Sequence, residues 1–121
     1  MKRILLVDDE QVQRRLLTEI LSPLGAEIVE AENGNAALKQ LESSSFDLLI
    51  MDRAMPQMDG LETLHRLREI GLTLPVIMIS AFGDESYWAE AVSLGASDYL
   101  VRPVQEEALF RAIRKVWEKK L

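Results

Sequence analysis

The sequence contains no cysteine and only one histidine, His65, among its 121 residues. The absence of cysteine excludes disulfides, thiolate metal sites and cysteine nucleophiles, and it is compatible with a reducing compartment such as the cytoplasm. A metal or phosphodonor role for His65 would need partners that its neighbouring sequence does not offer. We therefore interpret His65 as an ordinary surface or boundary residue.

Long apolar runs and an excess of positive charge are also missing. No hydrophobic stretch approaches the roughly 20 residues that are needed to span a bilayer. The chain has 14 Lys and Arg against 20 Asp and Glu, a net charge of -6, whereas binding to phosphate backbones needs a basic face. We expect a soluble protein without direct contacts to nucleic acid or membrane.

The composition that is present, 48% hydrophobic and 28% charged residues, is typical of a globular domain with its own core. We predict a single domain over residues 1–121. Short apolar runs predict strands at residues 4–7, 27–31, 48–51, 76–79 and 99–101. Helical periodicity predicts helices at residues 11–24, 34–43, 61–70, from 84 or 85 to 94, and 105–120.

Strand and helix patterns thus alternate five times, with short connections. Four strands are unbroken apolar runs, as expected when helices cover both faces of a parallel sheet. The strand at 27–31 is polar enough for a sheet edge. The predicted fold class is α/β: a three-layer α/β/α sandwich around a five-stranded parallel sheet.

The first and last helices carry apolar stripes. The stripe predicted for the first helix comprises Val12, Leu16, Leu17, Ile20 and Leu21. The stripe on the last helix comprises Leu109, Ala112, Ile113 and Val116, with Phe110 and Trp117 along its margin. Those two aromatic residues are either the edge of the core or, together with Tyr87 and Trp88, a partner or dimer surface.

Polar residues follow four of the predicted strands. Asp8 and Asp9 follow the first strand, Asp52 the third, Ser80 the fourth and Arg102 the fifth. Each acid alone is compatible with a helix cap or a solvated turn. In open parallel sheets, however, ligands bind beyond the carboxyl ends of the strands, so five such residues at one edge predict a site.

Three carboxylates in one crevice repel each other, and a divalent cation relieves the repulsion. Ligands that are all oxygen favour a hard ion such as Mg²⁺, which completes its octahedron with water and phosphate oxygens. A carboxylate can itself accept a phosphoryl group as an aspartyl phosphate, and the charge of Arg102 and the hydroxyl of Ser80 suit the phosphoryl oxygens. The sequence therefore predicts a Mg²⁺-dependent acid pocket at Asp8, Asp9 and Asp52.

Short motifs in a fixed order support this prediction. They are Leu6-Val7-Asp8-Asp9-Glu10, the run Asp-Leu-Leu-Ile-Met-Asp at 47–52, Met55-Pro56, Asp59-Gly60, Ile79-Ser80-Ala81, Leu94-Gly95-Ala96, Asp98-Tyr99-Leu100 and Pro103. Over essentially its full length the sequence resembles the receiver domain of two-component response regulators. The resemblance implies a cytoplasmic signalling module, which catalyses only its own phosphorylation and dephosphorylation, with the flavodoxin-like strand order 2-1-3-4-5.

The resemblance also implies roles for individual residues. Asp52 would accept phosphate from a sensor histidine kinase, a phosphotransfer protein or a small acyl phosphate. Asp9, Asp52 and the backbone carbonyl of Ala54 would bind Mg²⁺ directly, and Asp8 mostly through water. Ser80 would be the switch hydroxyl. Tyr99 would report phosphorylation to the surface of the fourth helix, fifth strand and fifth helix, which would contact an output domain or protein or form a homodimer.

One residue departs from the family pattern, which has lysine where this chain has Arg102. Arginine keeps the charge but presents a planar fork instead of a point charge. Arg102 either holds the phosphoryl oxygens or pairs with Asp52 and biases the domain toward one state. The alternative function is a degenerate receiver that acts as a phosphorylation-independent interaction module. A third interpretation, an aspartyl-phosphate hydrolase, needs an Asp-x-Asp motif after the first strand, which is missing.

Overall fold

The computed structural model describes residues 1–81 and 85–118. The strands are β1 (Arg3–Val7), β2 (Glu27–Ala31), β3 (Leu48–Asp52), β4 (Val76–Ser80) and β5 (Asp98–Val101). The helices are α1 (Gln11–Leu21), α2 (Gly34–Ser43), α3 (Gly60–Glu69), α4 (Trp88–Ser93) and α5 (Glu106–Trp117), with 3-10 turns at Ser22–Leu24 and Glu85–Tyr87. Asp84 and Lys120, at predicted helix ends, lie outside the described residues.

The strands form one parallel sheet in the order β2-β1-β3-β4-β5, so the predicted fold class and strand order are confirmed. The polar strand β2 lies at an edge, as predicted. Asp52 pairs in register with Ile79, and Ser80 pairs with Val101, so both polar residues are the last residues of their strands and not the first residues of the loops. The carboxyl ends of β3, β4 and β5 therefore meet at one edge of the sheet.

Helices cover both faces of the sheet. Alternate strand residues such as Ile4, Leu6 and Ile50 pack with Leu17 and Leu21 of α1 and with Leu109, Ala112 and Ile113 of α5. The residues between them, such as Leu5, Leu49 and Met51, pack against α2, α3 and α4 through Ala37, Leu41, Leu61, Leu64, Leu67 and Ala91. This explains why the central strands are apolar throughout. Within residues 1–81 and 85–118, no helix has the length and apolarity that crossing a membrane requires.

The prediction for α1 was partly wrong. Leu17 and Leu21 are buried, but Val12 is 69% exposed and Leu16 is 50% exposed. Each helical residue turns by about 100°, which places Leu16 and Val12 about 100° and 140° from Leu17 around the axis. The five apolar residues are spread too widely for a single buried stripe, so two of them face solvent. The helix also ends at Leu21, three residues early, because Pro23 has no N–H to continue it.

The last helix resolves the alternatives for one of its aromatic residues. Trp117 is partly buried against the core, and its indole Nε1 donates a hydrogen bond to the carbonyl of Asp47 at 3.3 Å. Trp117 is therefore at the edge of the core. Trp88 on α4, in contrast, is 41% exposed and forms an edge-to-face contact with Tyr99, with ring centroids 5.2 Å apart.

Arg68, which the sequence patterns do not single out, joins the end of α3 to the end of α4. Its Nε donates to the carbonyl of Leu94 at 3.0 Å, and its Nη2 donates to that of Gly95 at 2.9 Å. Its Nη1 donates to the carbonyls of Leu72 and Leu74, both at 3.0 Å. One guanidinium thus donates hydrogen bonds to four main-chain carbonyls at the end of the sheet opposite the acid residues. Without Arg68, each of these carbonyls would need another hydrogen-bond donor.

Candidate functional site

The two acids after β1 differ in their surroundings. Asp8 is buried and Asp9 is exposed. The Oδ1 atom of Asp8 accepts a hydrogen bond from the amide of Glu10 at 2.9 Å, which fixes the turn into α1. The amide of Asp8 donates to the carbonyl of Ala31 at 3.2 Å, and its own carbonyl accepts from Arg14 Nη1 at 2.6 Å. Asp8 is therefore held at both its main chain and its side chain.

Asp52 is the last residue of β3 and is buried. The loop that follows returns close to it, and the amide of Gly60 donates to the carbonyl of Arg53 at 2.7 Å. A Cβ atom at Gly60 would lie 2.5 Å from the carbonyl oxygen of Asp52, so a side chain there would displace the end of β3. Asp59 caps α3 by accepting from the amide of Glu62 at 2.9 Å. The motif Asp59-Gly60 thus positions Asp52.

The structure brings the three predicted acids together. Carboxylate oxygens of Asp8, Asp9 and Asp52, one from each residue, lie within 4.8 Å of one another. This donor set consists of hard oxygen ligands, and no His or Cys belongs to it, which fits Mg²⁺ better than a softer transition metal. The residues present are therefore suited to the ion predicted from the sequence.

Arg102 reaches into the same cluster. Its Nη2 atom lies 2.8 Å from Asp8 Oδ2 and 3.2 Å from Asp52 Oδ1, and its amide donates to the carbonyl of Ser80 at 2.8 Å. The ion pair with Asp52 is the contact that one of the two alternatives for this residue requires. The contact between Arg102 and Asp8 was not predicted from the sequence. Three ionised carboxylates and one guanidinium leave a formal charge of about -2, which a divalent cation would cancel.

Burial dominates the electrostatics of the cluster. It raises the pKa of Asp52 to about 6, against the opposing effect of the neighbouring Arg102. Burial also raises the pKa of Asp8, and the hydrogen bond from the amide of Glu10 and the charge of Arg102 oppose that shift. Asp8 and Asp52 therefore bind protons more tightly than ordinary aspartates, as expected for buried carboxylates whose negative charge is not fully compensated.

The other predicted site residues lie around this cluster. Ser80 is buried at the end of β4, and Tyr99 is buried within β5. Ala54 is exposed, and its amide points to Asp52 Oδ1 at 3.4 Å. The guanidinium carbon of Arg53 lies 3.3 Å from the ring centroid of Tyr87. His65 is exposed on α3, consistent with the interpretation that it is an ordinary surface residue.

Sequence reasoning missed Arg14, which bonds both the carbonyl of Asp8 and, at 2.9 Å, the carboxylate of Glu30 on β2. It therefore ties the acid turn to the edge strand. The available signal was its position one turn into the helix that follows the acids, where a long basic side chain reaches back toward them. Gly60 was noted only as part of a loop motif, whereas the close approach to Asp52 requires a glycine.

The fold and the cluster together define a class: an α/β domain of flavodoxin-like order with an acid pocket at the carboxyl edge of its sheet. Residues 4–114 match the family described as the response regulator receiver domain, and the chain belongs to that family. The receiver domain is a signalling module of two-component systems, and its members bind Mg²⁺ at a cluster of aspartates.

Individual relatives agree with this assignment. The chain is 40% identical over 114 residues to the chemotaxis protein CheY of Bacillus subtilis, which covers 93% of this chain and 95% of that protein. It is 45% identical over 105 residues to the regulator of RpoS of Escherichia coli, covering 87% of this chain but 31% of that longer protein. The response regulator TrrA of Thermotoga maritima, solved in complex with Mg²⁺ and BeF, superposes with a TM-score of 0.86 at 36% identity, covering 96% of this chain and 99% of that one.

Proposed function

We propose that this receiver domain accepts a phosphoryl group on Asp52 in a reaction that depends on Mg²⁺. The observation that carries the proposal is the cluster of Asp8, Asp9 and Asp52. Asp52 ends β3, which is the neighbour of β1 in the sheet, and Arg102 forms an ion pair with it. Asp9, Asp52 and the carbonyl of Ala54 would hold the ion, with Asp8 acting mostly through water. When bound, Mg²⁺ supplies positive charge that offsets the charge of the transferred group.

The chain's own residues suit the transfer. A carboxylate oxygen of Asp52 attacks phosphorus, and a P–O bond forms as the P–N bond to the donor histidine breaks. The imidazole leaves with the bonding electron pair. In its ionised form Asp52 is the nucleophile, and Arg102 stands beside it to contact the phosphoryl oxygens. The receiver catalyses only its own phosphorylation and the later hydrolysis of its own phosphoryl group. In this proposal it is a signalling module and not a classical enzyme.

Ser80 and Tyr99 would couple phosphorylation of Asp52 to a change at the surface of the domain. Ser80 lies at the end of β4, one residue beyond the register partner of Asp52, where its hydroxyl can bond a phosphoryl oxygen. Tyr99 contacts Trp88, which is exposed on α4 together with Val92. We propose the α4-β5-α5 surface, with these two exposed residues, as the contact for an output domain or protein or for a homodimer.

The direct test uses a small phosphodonor. We expect phosphoramidate or acetyl phosphate with Mg²⁺ to add one phosphoryl group to the domain, measured by intact-mass spectrometry, and EDTA to prevent the addition. A second receiver domain of known activity serves as the control. If that control is modified and this chain is not, the degenerate receiver is the better conclusion. The two ion pairs of Arg102 are the observation that favours that second candidate.

A protein phosphodonor must also cover the surface around the pocket. Leu16 on α1 is exposed, and a groove of about 410 Å³ between α1 and the end of β5 is lined by Gln13, Leu16, Leu17, Ile20, Arg102, Pro103 and Val104. This groove is apolar and shares Arg102 with the acid pocket. We propose that a histidine kinase or phosphotransfer protein of the cytoplasm docks here and brings its phosphohistidine to Asp52.

Leu16→Glu is expected to slow phosphotransfer from such a protein at least about tenfold, because a charge replaces apolar contact area. The same variant should accept phosphate from acetyl phosphate at the rate of the unchanged chain. The measurement is the transfer of radiolabelled phosphate from a phosphorylated kinase that serves the unchanged domain. Ile70→Glu is the matched control, since Ile70 is 53% exposed but lies at the end of α3. Equal transfer to Leu16→Glu and to the unchanged chain would exclude this docking surface.

A further inference from the structure

The proposed metal ligands already have a cation in contact with them. A single nitrogen, Nη2 of Arg102, lies 2.8 Å from Asp8 Oδ2 and 3.2 Å from Asp52 Oδ1. We propose that Arg102 competes with the divalent cation for these two carboxylates, so that metal binding requires the guanidinium to move. The inference rests on the proposed function, because it takes the pocket to be a Mg²⁺ site.

Both carboxylate oxygens of Asp8 already accept a hydrogen bond. Its Oδ1 accepts the amide of Glu10 at 2.9 Å, and its Oδ2 accepts Arg102 Nη2 at 2.8 Å. Its main chain is held by hydrogen bonds with Ala31 and Arg14, and its carboxylate is held by the hydrogen bonds of its two oxygens. A cation that approaches Asp8, directly or through water, therefore meets one oxygen held by the start of α1 and one held by Arg102. The contact to Arg102 is the one that can open without unfolding a turn.

Arginine is suited to such competition. It stays charged at every physiological pH, and its extended fork lets one nitrogen bridge two acids. A lysine at this position would present a compact, strongly hydrated ammonium with a different reach. The main chain of Arg102 is anchored to Ser80, but its side chain is 23% exposed, so the guanidinium has a route toward solvent. Two cations on the same pair of carboxylates would repel each other.

If Arg102 competes with the metal, its two alternative roles, pairing with Asp52 and holding phosphoryl oxygens, follow one another in time. In this structure the guanidinium pairs with Asp8 and Asp52. Once displaced from Asp8, it becomes available to oxygens of a phosphoryl group on Asp52. The same residue then stabilises the resting pocket and afterwards the phosphorylated one, and the cost of moving it appears as weaker metal affinity.

The test is metal binding by the folded domain, measured without any phosphodonor. Mn²⁺ replaces Mg²⁺ as the probe, and the signal of free Mn²⁺ in electron paramagnetic resonance gives the Kd. We expect Arg102→Gln to bind Mn²⁺ at least about tenfold more tightly than the unchanged chain, and Arg102→Lys to lie between them. Circular dichroism checks that each variant is folded.

Arg53→Gln is the matched control. It removes the same charge from the residue next to Asp52, but the guanidinium of Arg53 lies on the ring of Tyr87, 3.3 Å from its centroid. We expect its Kd to change by less than about twofold. A Kd for Arg53→Gln that falls as far as that for Arg102→Gln would show a general effect of charge and overturn the competition.

The remaining outcomes separate the inference from the proposed function. If the unchanged chain and all variants bind Mn²⁺ with the same Kd, the pocket is a metal site but Arg102 does not compete for it. If none of them binds Mn²⁺, the proposed metal-dependent function fails as well. As a second readout, titration with Mg²⁺ should move the side-chain nitrogen resonances of Arg102 in NMR spectra, and unchanged resonances at saturating Mg²⁺ would contradict the inference.

Discussion

Asp52→Asn is expected to abolish phosphoryl labelling by acetyl phosphate while the domain stays folded. An amide is not a nucleophile toward phosphorus at neutral pH, and the other buried acid is poorly placed to replace Asp52. Asp8 has one carboxylate oxygen bonded to the amide of Glu10 and the other to Arg102. Intact-mass spectrometry should therefore show the labelled fraction falling to background, at least about a hundredfold below the unchanged chain.

Asp47→Asn is the matched control for this loss. Asp47 directly precedes β3, at the opposite edge of the sheet, and its carboxylate accepts from the amide of Arg3 at 2.8 Å, which an asparagine oxygen can also do. This variant should be labelled like the unchanged chain. If Asp52→Asn gains a phosphoryl group, borohydride reduction followed by peptide mapping would locate the acceptor, and a label on Asp8 or Asp9 would refute the role given to Asp52.

The acid pocket could be predicted because it depends on a rule of topology. Asp8, Asp9 and Asp52 each end or follow an apolar strand, and parallel strands bring such residues to one edge. Sheet order itself came from the family resemblance, because apolar periodicity does not specify which strands pair. The distances within the pocket could not be predicted from the sequence either, because they depend on how far each side chain reaches across neighbouring strands.

Arg102 illustrates that limit. Its charge and its place after β5 are evident from the sequence, but its contact with Asp8 crosses from one side of β3 and β4 to the other. Arg68 is a second case, because its four acceptors are main-chain carbonyls, which no side-chain pattern marks. Leu16 is a third. An apolar residue in an amphipathic helix is usually taken as core, and only its angular position relative to Leu17 reveals that it is exposed.

The raised pKa values make the stability of the metal-free domain depend on pH in an unusual direction. Between the ordinary pKa of 3.8 and the folded value of about 6, the folded state binds more protons at Asp52 than the unfolded state does. Stability from Asp52 is therefore complete below about pH 4 and is lost as the pH rises through 6. The difference between the pKa of 3.8 and the folded value of about 6 corresponds to about 3 kcal/mol of unfolding free energy. Asp8 acts in the same direction.

Comparison with Asp52→Asn tests this contribution, because the variant loses the ionisation of Asp52 and keeps the other titratable residues. In EDTA, the free energy of unfolding of the variant relative to the unchanged chain should increase by about 2 kcal/mol between pH 4 and pH 7. Urea unfolding at closely spaced pH values measures it. Saturating Mg²⁺ should recover part of the loss in the unchanged chain at pH 7, since a ligand that binds only the folded state stabilises it. If the free energies of unfolding of the two proteins change in parallel from pH 4 to pH 7, Asp52 ionises in the folded domain as easily as in the unfolded chain. The pocket would then lack the uncompensated negative charge that makes it a site for a cation.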